Sequence, residues 1–247
     1  SSSFDDLVRR GAISRAMATF LSHAVQARLN VLVVGAKEEG VQNLLGALAE
    51  QARERVVAAT DFDQYLIDSD LVVRLDVSHA DGKVRDLLGV VTAMPAARLL
   101  VTLTNPELTA ATLDALAAGL SGVLASVESS SLRRALQRLP NEALRAGGSG
   151  SFETFQRSLL AGFDLAVEVA RLRDGRVRVL RIAELVSDGQ GGIEARDIFR
   201  FTVARVAVGG AVEGNFAPSG QVPEVLGQLQ MLGLKLESSL FSRPPSK

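Results

Sequence analysis

Five short apolar runs alternate with helical patterns between residues 30 and 146, and this alternation constrains the fold more than any other feature of the chain. The runs are continuous, which is typical of strands buried on both faces of a sheet. Strands of this kind, separated by helices, predict a mainly parallel sheet covered by helices on both sides. The predicted strands cover residues 31–34, 56–59, 71–75, 99–103 and 123–127.

The chain beyond residue 146 has a different pattern. A Gly- and Ser-rich joint at 147–151 precedes a helix predicted at 152–161, and apolar residues then recur at every second position. Asp174-Gly175 and Gly209-Gly210 are typical turns of β-hairpins, so this part is predicted to be antiparallel. We expect four segments: a helical lead-in (1–29), the α/β core (30–146), a β-rich module with a closing helix (147–241) and a disordered tail (242–247).

Composition excludes several classes of function. The 247 residues are 47% apolar and 22% charged, which is ordinary for a globular protein with a substantial core. A net charge of -1 provides no basic surface for nucleic acid, so no nucleic-acid partner is expected. The absence of cysteine excludes disulfides and thiolate metal sites. Residues 108–127 are long enough to cross a membrane, but Asp114 within them favours a buried helix, a turn and a strand instead.

The segment after the first predicted strand has the spacing of a phosphate-binding loop without its side chains. In the pattern G-x-x-x-x-G-K-[ST], backbone N–H groups hold the phosphates, the Lys reaches the β- and γ-phosphates, and the hydroxyl residue binds Mg²⁺. Gly35 and Gly40 have the spacing of the outer glycines. Val41 and Gln42 occupy the positions of the Lys and the hydroxyl residue. The glycine spacing of a phosphate-binding loop is therefore present, but the side chains that bind phosphate and Mg²⁺ are absent.

Two alternatives for this loop stay open. Lys37 lies inside the loop, where it offers a displaced cation, but Glu38 and Glu39 place negative charge where phosphates would bind. The other alternative is that the two glycines only shape a turn from strand to helix. The dinucleotide pattern G-x-G-x-x-G does not fit, because no glycine follows Gly35 two positions later.

Longer stretches of the chain resemble the type II/type IV secretion ATPases, most closely the branch that drives Tad (tight adherence) pili. The resemblance covers most of the chain and is strongest at residues 4–12, 25–32, 44–48, 71–75, 169–176, 197–201 and 216–220. It implies a RecA-like P-loop core followed by a small β-rich module. It also implies a ring of six subunits on the cytoplasmic side of the inner membrane.

The resemblance also implies four functional boxes, and the chain departs from them. Besides the changed loop, Thr60-Asp61 stands where the family has Glu-Asp, and Leu103 stands at the Glu of the Walker B box. Glu128 falls at the position of a family His. Arg74 matches a phosphate-facing arginine of the family.

These departures predict a pseudo-ATPase with no catalytic residue, no metal and no cofactor. ATP and Mg²⁺ are expected only if this interpretation is wrong. The resemblance implies a homo- or hetero-oligomeric ring with related secretion ATPase subunits, and an inner-membrane platform protein as a further partner. Two alternatives remain: a regulatory subunit that binds nucleotide without hydrolysing it, and a weak ATPase that uses displaced residues.

Overall fold

The computed structural model describes residues 3–36, 39–60, 72–75, 84–94, 97–147 and 150–243, and for residues 39, 74, 85 and 87 it describes the backbone. In chain order the elements are α1 (Phe4–Arg9), α2 (Arg15–Gln26), β1 (Val31–Gly35), α3 (Glu39–Glu50), β2 (Val56–Ala59), β3 (Val72–Leu75), α4 (Val84–Ala93), β4 (Arg98–Thr102), α5 (Pro106–Ala117), β5 (Leu124–Glu128), α6 (Leu132–Arg145), α7 (Phe152–Gly162), β6 (Leu165–Arg171), β7 (Val177–Ser187), β8 (Ile193–Val206), β9 (Val212–Pro218), α8 (Val225–Met231) and a short 3₁₀ helix (Ser238–Phe241).

The described strands form one sheet of nine, in the order β3-β2-β4-β5-β1-β6-β7-β8-β9. The first five strands are mutually parallel, and β6 joins them by pairing parallel with β1. From β6 to β9 every pair is antiparallel. The predicted fold class, a mainly parallel α/β core followed by antiparallel strands, is therefore confirmed. The antiparallel strands continue the same sheet.

The five predicted core strands lie within one residue of the observed ones. Residues 108–127 contain most of α5, a turn and the start of β5, as predicted. Within the described ranges, no helix is long and apolar enough to span a lipid bilayer. Strand β8 begins at Ile193, and its first half pairs with β7.

Helices cover both faces of the sheet. Apolar side chains of β1, β4 and β5 alternate between the faces; Val33 and Leu100 lie on the face covered by α1, α2, α3 and α8. Leu32 and Val101 lie on the opposite face, which is covered by α4, α5, α6 and α7. This two-sided burial is the physical reason for the continuous apolar runs in the sequence.

Asn30 connects three segments at the start of β1. Its side-chain amide donates to the carbonyl of Gly162 at 2.7 Å, and its side-chain oxygen accepts from the N–H of Val123 at 2.8 Å. Its own N–H donates to Asp164 Oδ2 at 2.7 Å. Burial raises the pKa of Asp164, and the nearby charge of Glu184 adds to this, while the hydrogen bond from Asn30 opposes it. The surroundings of Asp164 therefore disfavour the charged form of a half-buried carboxyl group.

Replacing Asp164 with Asn is expected to stabilise the protein by up to about 1 kcal/mol at neutral pH, because the amide oxygen still accepts from Asn30 while the disfavoured, partly buried charge is lost. An acid whose pKa is raised on folding binds its proton more tightly in the folded state. The native protein therefore loses stability as pH rises through the raised pKa. Urea denaturation of both proteins should give a difference that grows as pH rises above the ordinary pKa of an Asp, about 3.9, and levels off above the raised pKa. A variant less stable than the parent at every pH would contradict this.

Candidate functional site

A cleft of about 690 Å³ opens at the carboxyl ends of β1, β4 and β5, beside the start of α3 and the middle of α6. The carboxyl edge of a parallel sheet is where α/β proteins usually bind ligands. The residues that line the cleft are Gly35, Ala36, Val41, Gln42, Thr102, Leu103, Thr104, Ser126, Val127, Glu128, Ser129, Ser130, Arg138 and Glu142. Five of the residues selected from the sequence, Gly35, Val41, Gln42, Leu103 and Glu128, meet here.

The two glycines of the loop are required by packing. Gly35 ends β1, and a Cβ atom there would lie 2.7 Å from the carbonyl oxygen of Val169 and 2.6 Å from Val41 Cγ2. Gly40 is the second residue of α3, and a Cβ atom there would overlap Val177 Cγ1. Both glycines therefore allow the start of α3 to pack against β6 and β7. Packing alone is sufficient to explain the spacing of Gly35 and Gly40.

The start of α3 offers no cationic side chain among its described lining residues. Val41 is buried and packs in the core between α3 and the sheet, with Gly35 directly beside it. Gln42 is half-buried and lines the cleft with a neutral amide. The positions that would hold a Lys and a Mg²⁺-binding hydroxyl in a phosphate-binding loop are thus occupied by an aliphatic and an amide side chain.

The opposite wall of the cleft also lacks a side chain that an ATP site would need. Leu103 is 4% exposed and packs in the core with α5, so the Walker B position carries no carboxylate. Glu128 ends β5 opposite Gly35, and the N–H of Ser129 donates to the Gly35 carbonyl at 2.8 Å, which joins the two strand ends. The Glu128 side chain is exposed and, within the described part of the chain, makes no ion pair.

Two hydroxyl groups that the sequence analysis missed lie at the base of the cleft. Thr102 and Ser126 are paired in the register of β4 and β5, so their side chains share one face of the sheet. Thr102 is 6% exposed and Ser126 is 2% exposed, and neither Oγ1 of Thr102 nor Oγ of Ser126 has a hydrogen-bond partner among the described residues. The available signal was a polar residue near the end of each apolar run.

Helix α6 contributes a neutralised charge pair. Arg138 Nε lies 2.9 Å from Glu142 Oε1, one turn further along the helix, and Arg138 also donates to the carbonyl oxygen of Glu128. Among the described lining residues, Arg138 is the one cationic side chain, and Glu128 and Glu142 are the two anionic ones. The cleft therefore has an excess of one negative charge over these residues.

The remaining residues selected from the sequence are not placed in the cleft. Thr60 follows β2 and is not among the lining residues. Arg74 lies on β3 at the edge of the sheet, and three strands separate β3 from β1. Four strand spacings of about 4.8 Å put roughly 19 Å between the backbones of β3 and β1. Lys37, Glu38 and Asp61 lie outside the described residues.

Comparison with solved structures finds ATPases. The chain is similar to the VirB11 ATPase of the Brucella suis type IV secretion system, determined in complex with sulphate. The TM-score is 0.59 and the identity 21%, over 74% of this chain and 62% of that one. It is also similar to the ATPase DotB of Yersinia pseudotuberculosis, with a TM-score of 0.50 and 13% identity over 74% of this chain and 49% of that one. No protein-family model matches the sequence, and no curated protein matches it.

The chain thus spans about half to three fifths of the length of these two structures. At this level of identity the likeness concerns the fold, and the position of the cleft at the carboxyl edge of the sheet agrees with it. The chain has the RecA-like α/β fold of the secretion ATPases.

Proposed function

We propose that this chain is a non-catalytic subunit of a bacterial type II/type IV secretion motor or Tad-type pilus assembly motor. The observation that carries the proposal is the cleft, which keeps the position of a nucleotide site in a RecA-like fold but presents Val41, Gln42 and Leu103 in place of the side chains that handle Mg-ATP. The chain would act through assembly with other subunits, on the cytoplasmic side of the inner membrane.

Electrostatics argue against turnover. A triphosphate is a polyanion, and the described lining of the cleft has an excess of negative charge with its one arginine, Arg138, already paired with Glu142. Loss of one preorganised electrostatic stabiliser typically costs about 10²–10³ in rate. The chain lacks the loop Lys, the Mg²⁺-binding hydroxyl and the Walker B carboxylate, and although such losses are not additive, little catalysis is expected to remain.

The preserved fold supports a structural role. A subunit that assembles without hydrolysing ATP needs the fold and its surfaces rather than the side chains that bind nucleotide, and the chain has this fold. The resemblance to secretion ATPases implies rings, and a subunit without chemistry can still fill a ring position, or connect an active ring to the platform protein in the inner membrane. The proposed partners are therefore related motor subunits and that platform protein.

Calorimetric titration with Mg-ATP and a phosphate-release assay test whether the chain binds and hydrolyses ATP. We expect no calorimetric binding of Mg-ATP with a Kd below about 1 mM and no phosphate release above the blank. The double variant Val41→Lys/Gln42→Thr is expected to remain inactive, because Leu103 still leaves the attacking water without a carboxylate. Micromolar ATP binding would replace the proposal with a regulatory nucleotide-binding subunit. Turnover that disappears in the Lys37→Ala variant would replace it with a weak ATPase.

An assembly assay tests the structural role separately. The protein is mixed with the catalytic motor subunit of the same secretion or pilus system, and the mixture is sized by light scattering. We expect a stable complex that forms without any nucleotide in this chain's own cleft. Failure of the two proteins to associate, alone or in the presence of the platform protein, would contradict the proposal.

A further inference from the structure

We propose that the cleft binds an organic cation, through a guanidinium or primary ammonium group that contacts Thr102, Ser126 and Glu128. The proposal builds on the proposed function in one respect, since it takes the cleft as free of nucleotide. It assigns a class of ligand to a cleft that lacks the side chains that bind phosphate. The charge preference of the site would then be the reverse of that of an ATP site.

Strand geometry brings the three side chains together. Thr102 and Ser126 are neighbours across β4 and β5, about 4.8 Å apart in the backbone. Glu128 lies two residues after Ser126 on β5, so it is on the same face and roughly 6–7 Å further along the strand. A small planar or tetrahedral head group at the carboxyl end of these strands would face all three side chains.

The unmet hydrogen-bonding capacity of these groups defines the ligand. The side-chain oxygens of Thr102 and Ser126 are buried and have no partner among the described residues, which is costly unless a ligand or water supplies one. The Glu128 carboxylate accepts hydrogen bonds and donates none. A group with several N–H donors and a positive charge satisfies all three at once, and charge-assisted hydrogen bonds are the stronger kind.

The rest of the cleft excludes the main competitors. Arg138 already bonds to Glu142 at 2.9 Å and to the Glu128 carbonyl, which neutralises part of its charge and reduces its capacity to bind an anion. No group of three side chains suited to holding a metal ion occurs in the described part of the chain. A volume of about 690 Å³ also suits a small organic ligand, for which clefts of about 300–1,000 Å³ are usual.

The same cation has two sources, a free amine or the side chain of an Arg or Lys that another chain presents. Calorimetry is the suitable measurement, because the protein has no Trp and one Tyr and so gives little fluorescence signal. The probes for the free source are argininamide and putrescine, and the probe for the second is a short peptide with blocked ends and one central Arg. Both amides are used as Nα-acetyl derivatives, so that citrullinamide is the matched neutral control and has the shape of argininamide without its charge.

We expect the purified protein to bind argininamide at least tenfold more tightly than citrullinamide, with a Kd below about 1 mM. Glu128→Gln should weaken binding by about tenfold or more, and Ser126→Ala by roughly threefold to tenfold. Glu50→Gln is the control, because Glu50 is exposed at the far end of α3, and it should leave binding unchanged. Unchanged thermal melting of the three variants shows that they are folded.

Each outcome distinguishes the alternatives. Binding of the blocked peptide as tightly as argininamide identifies a side chain from another protein, and binding of argininamide or putrescine without the peptide identifies a free amine. No binding of any cation, equal binding of citrullinamide, or an equal loss in Glu50→Gln would overturn the proposal. Binding of Mg-ATP in the same experiment would overturn the proposed function, whereas failure of both ATP and the cations would overturn the cation site alone.

Discussion

Replacing Glu54 with Gln is expected to destabilise the protein by about 3 kcal/mol, because it leaves a buried guanidinium without a counter-charge. Arg98 is the first residue of β4 and is 0% exposed. Its Nη2 lies 3.2 Å from Glu54 Oε1 and also donates to the carbonyl of Val25 at 2.8 Å. Glu54 is thus the only carboxylate paired with Arg98 among the described residues.

A second arginine completes this network at the amino edge of the sheet. Arg28 lies 3.1 Å from Glu54 Oε1 and donates to the carbonyls of Ala97 and Ser121, each at 2.9 Å. It holds the left-handed backbone conformation, with φ at 59°, which a non-glycine residue adopts at some cost. The network therefore connects the segments before β1, β2, β4 and β5.

The direction of the pKa shift of Glu54 decides how the stability that this network provides changes with pH. Burial would raise the pKa of Glu54, but the charge of Arg98 and the hydrogen bonds to the carboxylate outweigh it, and the pKa is lowered. Burial also lowers the pKa of Arg98, although the charge of Glu54 opposes this. A carboxylate whose pKa is lowered on folding adds stability above its ordinary pKa, and this stability is lost as pH falls through the lowered value.

Urea denaturation of the parent, Glu54→Gln and the double variant Glu54→Gln/Arg98→Met measures the effect. The double variant should be more stable than Glu54→Gln alone, because it removes the uncompensated charge together with its partner. Glu50→Gln, at an exposed position on α3, should change stability by less than about 0.5 kcal/mol. A loss below about 1 kcal/mol in Glu54→Gln would mean that Arg98 is solvated in a way the fold does not indicate.

Local signals made the elements of this fold predictable. A strand buried on both faces requires a continuous apolar run, as in residues 31–34, and a hairpin requires turn residues such as Asp174-Gly175. Both signals lie within a few consecutive residues and do not depend on the rest of the chain. This explains why the core strands were predicted to within one residue and why both predicted hairpin turns connect antiparallel strands; the third hairpin, between β7 and β8, was not predicted.

Features that depend on distant residues were not predictable in this way. The predicted strand 99–103 begins one residue after Arg98, yet Arg98 is the first residue of β4 and is fully buried, where its Nη atoms donate to Glu54 and to two backbone carbonyls. The pairing of β6 with β1, which makes one continuous sheet, has no local sequence signal. Thr102 and Ser126 became a candidate pair of ligand groups only when the register of β4 and β5 placed them side by side.

The part of the candidate site that lies within one segment of the chain was predicted, and the part that depends on packing between distant segments was not. A spaced motif such as that of Gly35 and Gly40 lies in one segment, so Gly35, Val41 and Gln42 were found together. Leu103 and Glu128 were added by resemblance to the secretion ATPases. The contribution of α6 through Arg138 and Glu142 needs the packing of α6 beside the strand ends, which no sequence spacing encodes.

Substituting the loop glycines is expected to destabilise the protein in the absence of any nucleotide. Gly40→Ala should cost about 1–3 kcal/mol, because the new methyl group overlaps Val177 Cγ1 and lies 3.2 Å from Val169 Cγ1. Gly35→Ala should cost at least as much, because its methyl group would lie 2.7 Å from the backbone oxygen of Val169, which has little freedom to move. Urea denaturation of the nucleotide-free protein measures both.

A second substitution separates packing from other causes. Val177→Ala should restore at least half of the stability lost in Gly40→Ala, since it removes the overlapping methyl group, and it should not rescue Gly35→Ala, whose clash is with backbone. Gly227→Ala is the matched control: Gly227 lies in α8, and a Cβ atom there would meet no other atom within 4 Å, so an Ala should be neutral or stabilise by up to about 1 kcal/mol. If Gly40→Ala is as stable as the parent, packing does not explain the glycine spacing, and its retention would favour a backbone site for phosphate, against the non-catalytic role proposed for this chain.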